Sequence, residues 1–406
     1  MTDVFICAAV RTPVGRYGGA LAGARPDDLA ALVVRTAVER AGARPETVDE
    51  VILGNANGAG EENRNVARMA VLLAGLPTEV PGITVNRLCA SGMSAMAQAA
   101  WMIRAGAADV VVAGGVESMT RAPWVMEKPS RGWAKPGDVL DTSIGWRFPN
   151  PRFEDGDLRR DGKMTYSMPE TAEEVARVHG TSRADCDAFA LRSHRRALKA
   201  QAAGAFAEEI VPVEIVGRKG TSVVTADEGP RADTSLEALA GLRPVVAGGT
   251  TVTAGNSSSL NDGASALLLA SARAVEEQGL VPLAKFREST AVGLEPELMG
   301  MGPVHATRKL LRREDVALED IEHIELNEAF ASQSLACIRE LGLDEDLVNP
   351  DGGAIALGHP LGSSGSRLIV SLVHRMRREG AVSGALGLAT MCVGVGQGTA
   401  ALVESV

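Results

Sequence analysis

Two turns in this 406-residue sequence place a thiol and an imidazole where a ligand could reach them. Cys89 lies in "VNRLCASGMSA", between a short apolar run and a helix pattern of small residues. A helix N-terminus carries partial positive charge and unpaired N–H groups, which favour a thiolate over a thiol. His359 lies in "GHPLGSSG", a turn with few bulky side chains, and a nearby histidine would favour the thiolate further. Together they predict a cysteine nucleophile with space for a substrate beside it.

A second cysteine and an asparagine occupy turns of the same kind. Cys392 ends an apolar run in "TMCVGVGQG", and the glycines that follow, Gly394 among them, allow backbone N–H groups to point at a ligand oxygen. Asn327 lies in "NEAF", where a strand pattern gives way to a helix pattern. Four chemically competent residues at four such turns form a stronger pattern than any one of them alone.

Each of these residues also has a purely structural interpretation. Cys89 could be a small buried residue at a tight turn, since burial is the usual fate of a free cysteine. His359 could be a loop histidine with satisfied hydrogen bonds, Asn327 an ordinary helix N-cap, and the glycines after Cys392 a β-bulge. The remaining cysteines lie in strand or helix patterns and are interpreted as core residues: Cys7, Cys186 and Cys337.

An internal repeat indicates how these turns meet. "VDEVILGNAN" (48–57) is echoed by "IEHIELNEAF" (321–330), each an acidic lead-in, a short apolar strand and an Asn-containing turn before a helix. The "CASGMSA" turn and helix has its counterpart in "GHPLGSSGSRLIVSLVHRM" (358–376), and a buried strand follows each. Equivalent turns of a two-fold repeat face each other, so we expect Cys89 and His359 to lie together.

Strands alternate with helices along the chain, which indicates α/β layers. The repeat is interrupted by a stretch rich in Pro, Gly, Trp and charge, which also holds one helical segment, "TAEEVARVHGTSRADCDAFALRSHRRALKAQ". Thr171 and Glu174 predict a capping box at its start. The predicted domains are residues 1–118, the first half; 119–248, an inserted loop domain; 249–279, a return to the first half; and 280–406, the second half.

Composition limits the function. The formal net charge of −10 disfavours nucleic acid and anionic membrane as partners. We see neither a signal peptide nor an apolar run long enough to span a bilayer, and five scattered cysteines without a CxxC pair disfavour a disulfide framework or a zinc site. These features predict a cytoplasmic protein without a bound metal.

The longer motifs resemble the signature segments of the thiolases, the acetyl-CoA acyltransferases. They are "NRLCASGMSA", "GGVESM", "TAGNSSSLNDGA", "NEAFA", "GGAIALGHPLGSSGSR" and "CVGVGQG", and they extend over essentially the whole chain. The resemblance implies the thiolase fold: two βαβαβαββ halves in five layers, α-β-α-β-α, with a loop domain inserted in the first half. It also implies a ping-pong reaction with coenzyme A as substrate and no permanently bound cofactor.

The resemblance also implies roles for individual residues. Cys89 would take the acyl group as a thioester, His359 would activate it, and Cys392 would exchange protons with the acetyl-CoA enolate. A water held by Asn327 would form one anion site with His359, and the N–H groups of Cys89 and Gly394 would form the other. The positions that resemble those contacting coenzyme A or the acyl chain are Ser258 for pantetheine, Arg231 for adenine, and Met168 and Met299 for the acyl pocket.

Three departures from short-chain biosynthetic thiolases bear on the substrate: Ser167 before Met168, Ser259 in "GNSSS", and valines in "CVGVGQG". With "TSIGWRFPNP", they look more like 3-oxoadipyl-CoA thiolases of aromatic catabolism. Arg147 would bind the distal carboxylate, or alternatively form an ion pair between subunits.

Two other functions stay open: an acetoacetyl-CoA-specific acetyltransferase and a non-catalytic acyl-CoA-binding protein. Cys392 disfavours a decarboxylating ketoacyl synthase, which would share the fold and Cys89 but lack "CVGVGQG". The resemblance further suggests a homodimer or homotetramer, with residues 124–136 in subunit contacts.

Overall fold

The first half of the chain alternates strands and helices before a long insertion. The computed structural model describes residues 2–133, 135–153, 164–217 and 220–406. The elements of the first half are β1 (Val4–Arg11), β2 (Gly15–Arg16), α1 (Pro26–Ala41), β3 (Glu50–Gly54), α2 (Val66–Leu73), β4 (Gly82–Val85), α3 (Ser91–Arg104) and β5 (Val110–Ser118). Every residue of β5 is buried, as expected for a strand covered on both faces.

In its described residues, the insertion carries two hairpins and three α-helices before the chain returns to the sheet. Its elements are β6 (Trp124–Met126), β7 (Val139–Asp141), α4 (Met168–His179), α5 (Arg183–Ala202), β8 (Val213–Gly217), β9 (Gly220–Val224) and α6 (Leu236–Ala240). The returning elements are β10 (Asn261–Ser271) and α7 (Ala272–Gln278).

The single helical segment predicted in this insertion is two helices. Gly180 has a φ of 66° and ends α4, because a left-handed residue cannot continue a helix. The predicted capping box at Thr171 and Glu174 is also wrong. Ser167 and Glu170 form the box one turn earlier, where Pro169 fits the first turn because it needs no N–H partner there.

The second half repeats the first with one weaker strand. Its elements are β11 (Ala284–Gly293), α8 (Gly302–Glu314), β12 (Ile321–Leu326), α9 (Ala331–Leu341), α10 (Ala354–Leu357), α11 (Leu361–Arg378), β13 (Leu386–Val393) and β14 (Gln397–Glu404). The counterpart of β4 is reduced to an isolated parallel bridge between Ile324 and Val348.

Ten of the described strands form one sheet that joins the two halves, while β6–β7 and β8–β9 form separate two-stranded sheets. The order of the ten-stranded sheet is β12-β13-β14-β11-β1-β10-β5-β3-β4, with β2 paired to β10. The halves meet where β1 pairs with β11 over two positions, Phe5 with Lys285 and Ile6 with Ala284. The pairs β3–β4, β3–β5 and β12–β13 are parallel, and the other main pairs are antiparallel.

Three apolar clusters define five layers. Helices α1 and α2 cover one face of the first half, and α8 and α9 cover one face of the second. Helices α3 and α11 pack between the halves, in contact with both. The alternation within β10 shows the arrangement directly, because Leu268 belongs to the outer cluster and Leu267 and Leu269 to the central one. The predicted α-β-α-β-α fold is confirmed.

Small residues let the two central helices approach closely. A Cβ placed on Gly92 of α3 would lie 2.5 Å from the Oγ of Ser366 and 2.8 Å from the carbonyl oxygen of Gly362. A Cβ on Gly365 of α11 would lie 2.5 Å from the N of Met93. Because both helices begin at their functional turns, this contact brings the Cys89 and His359 turns side by side.

The surface carries apolar side chains on the first hairpin of the insertion. Trp124 is 74% exposed, and Trp133 and Val139 are exposed as well. Subunit contacts through residues 124–136 stay a prediction, as does the oligomeric state. Within the described parts of the chain, no helix combines the length and the apolar character needed to cross a membrane.

Candidate active site

Cys89 lies two residues before α3 on a strained turn. Leu88 has a φ of 47°, which is uncommon for a residue with a side chain. Ser91 holds the turn with its hydroxyl, which accepts the N–H of Arg87 at 2.9 Å and donates to the carbonyl of Leu88 at 2.6 Å. Of the five cysteines, all of which lie in described residues, Cys89 alone is partly exposed.

The structure contradicts the expectation of a ready thiolate. Burial raises the pKa of the Cys89 thiol to about 11, even though the N–H groups of Gly394 and of Cys89 itself donate to the sulfur and lower it. The nearby carboxylate of Glu117 raises this pKa further. Apolar packing from the central cluster outweighs the helix N-terminus, so the resting group is a thiol that needs a base.

His359 is held in one tautomer. Its Nδ1 lies 2.6 Å from the Oγ of Ser364, whose own proton goes to the carbonyl of Pro360 at 2.9 Å. The hydroxyl therefore accepts from Nδ1–H, and Nε2 keeps its lone pair. Burial, and after it the guanidinium of Arg367, lowers the pKa of His359 to about 3. The imidazole is neutral at neutral pH, with Nε2 able to accept a proton.

Asn327 and Cys392 complete the group. The Nδ2 of Asn327 lies 3.5 Å from the Nε2 of His359, and among the described residues its Oδ1 has no hydrogen-bond partner. Burial, followed by the neighbouring thiols of Cys89 and Cys337, raises the pKa of Cys392 well above its ordinary value. Cys89 and Cys392 are therefore close enough to influence each other, although they lie 303 positions apart in the sequence.

Gly394 belongs to the three-residue turn between β13 and β14. A Cβ there would lie 3.1 Å from the Cδ1 of Leu88 and 3.7 Å from the Sδ of Met168. Its N–H, which donates to Cys89, is thus presented across a narrow gap where a side chain would intrude.

Val395, in the same turn, has a φ of 62°, although it is β-branched. A left-handed L-residue costs roughly 1–2 kcal/mol, and asparagine tolerates it better. We expect Val395→Asn to raise the free energy of unfolding by about 1 kcal/mol, measured by urea denaturation. Val281→Asn, at a 70% exposed position without this strain, is the control. An equal response of both variants would contradict the strain argument.

A cavity of about 670 Å³ opens beside Cys89. Leu88, Met168 and Gly394 line it near the thiol, and Arg147 lines it as well. Met168 and Met299 pack in one apolar cluster with Cys392, but Met168 lines the cavity and Met299 does not, so the acyl-pocket assignment stays a prediction.

The two residues predicted to contact coenzyme A do not line this cavity. The N–H of Ser258 donates to the carbonyl of Ala329 at 2.9 Å, next to the Asn327 turn. Arg231 is exposed, and its N–H donates to the Nδ1 of His194 at 3.3 Å. Both assignments stay predictions.

Glu117 is a buried residue of the cavity wall that sequence reasoning missed. Its carboxylate accepts the N–H groups of Ala56 at 2.9 Å, Asn57 at 3.2 Å and Gly362 at 2.8 Å. Burial raises its pKa to about 7, and the N–H donors oppose this increase. Glu117 joins the loop after β3 to the start of α11; a glutamate inside the apolar run of "GGVESM" was the available signal.

Comparison with known proteins agrees with the geometry. The chain matches the family "Thiolase, N-terminal domain" over residues 4–273 and "Thiolase, C-terminal domain" over residues 280–405. A β-ketoadipyl-CoA thiolase of Pseudomonas aeruginosa is 57% identical, the alignment covering 100% of this chain and 99% of the relative. An acetyl-CoA acetyltransferase of Escherichia coli K12 is 45% identical, with the same coverage. Human mitochondrial 3-ketoacyl-CoA thiolase, solved in complex with CoA, superposes with a TM-score of 0.91 at 38% identity, covering 100% of this chain and 98% of that one.

The chain belongs to the thiolase family. It is an acyltransferase with thiolase activity, so the predicted fold, enzyme class and family are confirmed, and the non-catalytic interpretation is wrong.

Proposed function

We propose that this thiolase cleaves 3-oxoadipyl-CoA with coenzyme A, giving succinyl-CoA and acetyl-CoA. The observation that carries the proposal is Arg147, which lines the same cavity as Cys89. Its NH1 donates to the carbonyl of Thr142 and its NH2 to the Oδ1 of Asn57, both at 3.2 Å. Within the described residues no carboxylate forms an ion pair with it, so its charge is available to a dicarboxylic substrate.

In the first half-reaction, the Nε2 of His359 takes the proton of Cys89, and the sulfur attacks the C3 carbonyl carbon. The C2–C3 bond then breaks, and its electron pair leaves with acetyl-CoA as the enolate. Cys392 protonates C2 and becomes a thiolate. The thioester oxygen of the departing acetyl-CoA enolate gains charge beside His359 and Asn327, and the Oδ1 of Asn327, which has no partner among the described residues, supports a bound water there.

In the second half-reaction, the thiolate of Cys392 takes the proton of the incoming coenzyme A thiol. The coenzyme sulfur attacks the succinyl thioester on Cys89. The oxygen of this thioester would accept hydrogen bonds from the N–H groups of Cys89 and Gly394. Collapse releases succinyl-CoA, and Cys89 regains its proton from His359. Both cysteines and the histidine return to their starting protonation states.

The substrate comparison tests the proposal. Cleavage of 3-oxoadipyl-CoA, acetoacetyl-CoA and 3-oxohexanoyl-CoA is measured with free coenzyme A. The 3-oxohexanoyl ester has the same number of acyl carbons without the distal charge, so its kcat/KM isolates the contribution of the carboxylate. We expect 3-oxoadipyl-CoA to be preferred over both. Equal or better turnover of acetoacetyl-CoA would favour an acetoacetyl-CoA-specific enzyme and remove the assignment.

Arg147→Leu is expected to lower kcat/KM for 3-oxoadipyl-CoA about thirtyfold, since a hydrogen bond to a charged group contributes roughly 1.5–3 kcal/mol. The value for 3-oxohexanoyl-CoA should change little. Arg35→Leu, which removes an exposed arginine on α1, is the control. Size-exclusion chromatography separates the alternative role, because loss of a subunit ion pair would change the oligomer and lower both activities.

A further inference from the structure

We infer that Asn57 is a positioning residue for acyl selectivity, which holds the guanidinium of Arg147 toward a substrate carboxylate. The inference rests on the proposed function and adds the residue that orients its cation. Asn57 follows β3 in the loop that Glu117 anchors, and its side chain lies on the cavity wall with those of Thr142 and Arg147.

The three residues form a closed ring of hydrogen bonds. The Nδ2 of Asn57 donates to the Oγ1 of Thr142 at 2.9 Å and to its carbonyl at 3.2 Å. Both the Oδ1 of Asn57 and that same carbonyl accept from Arg147. The hydroxyl of Thr142 donates to Pro123 at 2.6 Å, so its Oγ1 receives the Asn57 amide in a fixed orientation.

This ring fixes Arg147 without neutralising it. Both acceptors are uncharged oxygens, so the guanidinium keeps its full charge. The ring uses two of its five N–H groups, which leaves three for a carboxylate, enough for a bidentate pair. An aspartate in place of Asn57 would have nearly the same shape but would supply the counter-ion from within the protein.

The backbone at this position is held independently of the side chain. The N–H groups of Ala56 and Asn57 both donate to Glu117, which is buried. A side-chain substitution at Asn57 therefore leaves the loop anchored, so a selective effect on the substrate can be separated from loss of the fold.

The test is Asn57→Asp, measured with 3-oxoadipyl-CoA and 3-oxohexanoyl-CoA. We expect the ratio of the two kcat/KM values to decrease about thirtyfold, mainly through KM for 3-oxoadipyl-CoA, because the introduced carboxylate occupies Arg147. Asn57→Ala, which removes the hydrogen bonds of the Asn57 side chain to Thr142 and Arg147 without adding charge, should decrease the ratio about fivefold. Asn150→Asp, the same charge change at an exposed position, is the control and should leave the ratio unchanged.

The outcomes separate the two claims. If Arg147→Leu abolishes the selectivity but both Asn57 variants keep the wild-type ratio, the positioning role is overturned and the proposed function stands. If the wild-type enzyme does not distinguish the two substrates, the proposed function itself fails. If Asn57→Asp loses both activities equally and unfolds at a lower temperature, its effect is on folding. The substrate ratio of Asn57→Ala then decides the positioning role.

Discussion

Replacement of Cys392 by Ala is expected to lower 3-oxoacyl-CoA cleavage about a thousandfold, because general acid–base groups contribute roughly 10²–10⁴ in rate. The two thiols have different tasks in the proposed reaction. Cys89 forms the thioester, while Cys392 donates a proton to C2 of the departing enolate. Removal of Cys392 should therefore abolish hydrogen–deuterium exchange at C2 of acetyl-CoA, measured by NMR. Acetylation of Cys89 by radiolabelled acetyl-CoA should decrease much less.

Cys337→Ala is the matched control. Cys337 is fully buried near Cys392, and its thiol donates to the carbonyl of Gly300 at 3.2 Å. Its loss should reduce stability without suppressing the C2 exchange. Rapid exchange in Cys392→Ala would remove the acid–base role, and loss of Cys89 acetylation to the same degree would mean that the two sulfurs act in one step.

The repeat made the architecture predictable. "VDEVILGNAN" and "IEHIELNEAF" contain the equivalent strands β3 and β12, and the "CASGMSA" and "GHPLGSSG" segments start the equivalent helices α3 and α11. Repetition of a pattern is visible without any knowledge of side-chain contacts. The glycines at 92 and 365 then explain why the helices between the two halves must be rich in small residues.

Protonation states were less predictable, because they depend on burial from several elements at once. A helix start beside Cys89 indicated a thiolate, yet the packing around it raises the pKa to about 11. The tautomer of His359 depends on Ser364, five positions away in a segment whose serines gave no indication which one faces the ring. The partial charge of a helix terminus can be inferred from the local sequence, but the desolvation of a side chain cannot, because it depends on the packing of the whole fold.

The proposed binding site for the substrate carboxylate was likewise only partly predictable from the sequence. Arg147 was visible as a candidate cation, but Asn57 and Thr142 were not, because they come from distant segments and meet only in the fold. The capping box failed for a different reason. Both Thr171 with Glu174 and Ser167 with Glu170 fit the spacing, and Pro169, two residues after Ser167, was the overlooked signal.

The protonation states lead to the second large effect, in the pH dependence of Cys89 alkylation. The pKa of Cys89 is raised to about 11 and that of His359 lowered to about 3, so between them both groups are neutral. Only the thiolate reacts with iodoacetamide, and its fraction increases tenfold per pH unit below the pKa. We expect the alkylation rate of the free enzyme to increase about a thousandfold from pH 6 to pH 9 without a plateau.

A resting thiolate–imidazolium pair would give a flat pH profile of the alkylation rate. Its thiolate would already be formed above the lower pKa of the pair, and the rate would be nearly constant from pH 6 to pH 9. Cys89→Ser measures background labelling, and glutathione, an exposed thiol, is the reference for the reagent. A plateau below pH 7 would show that the resting enzyme holds the ion pair. The steep profile would place deprotonation within the reaction itself, where the Nε2 of His359 receives the proton as the sulfur attacks.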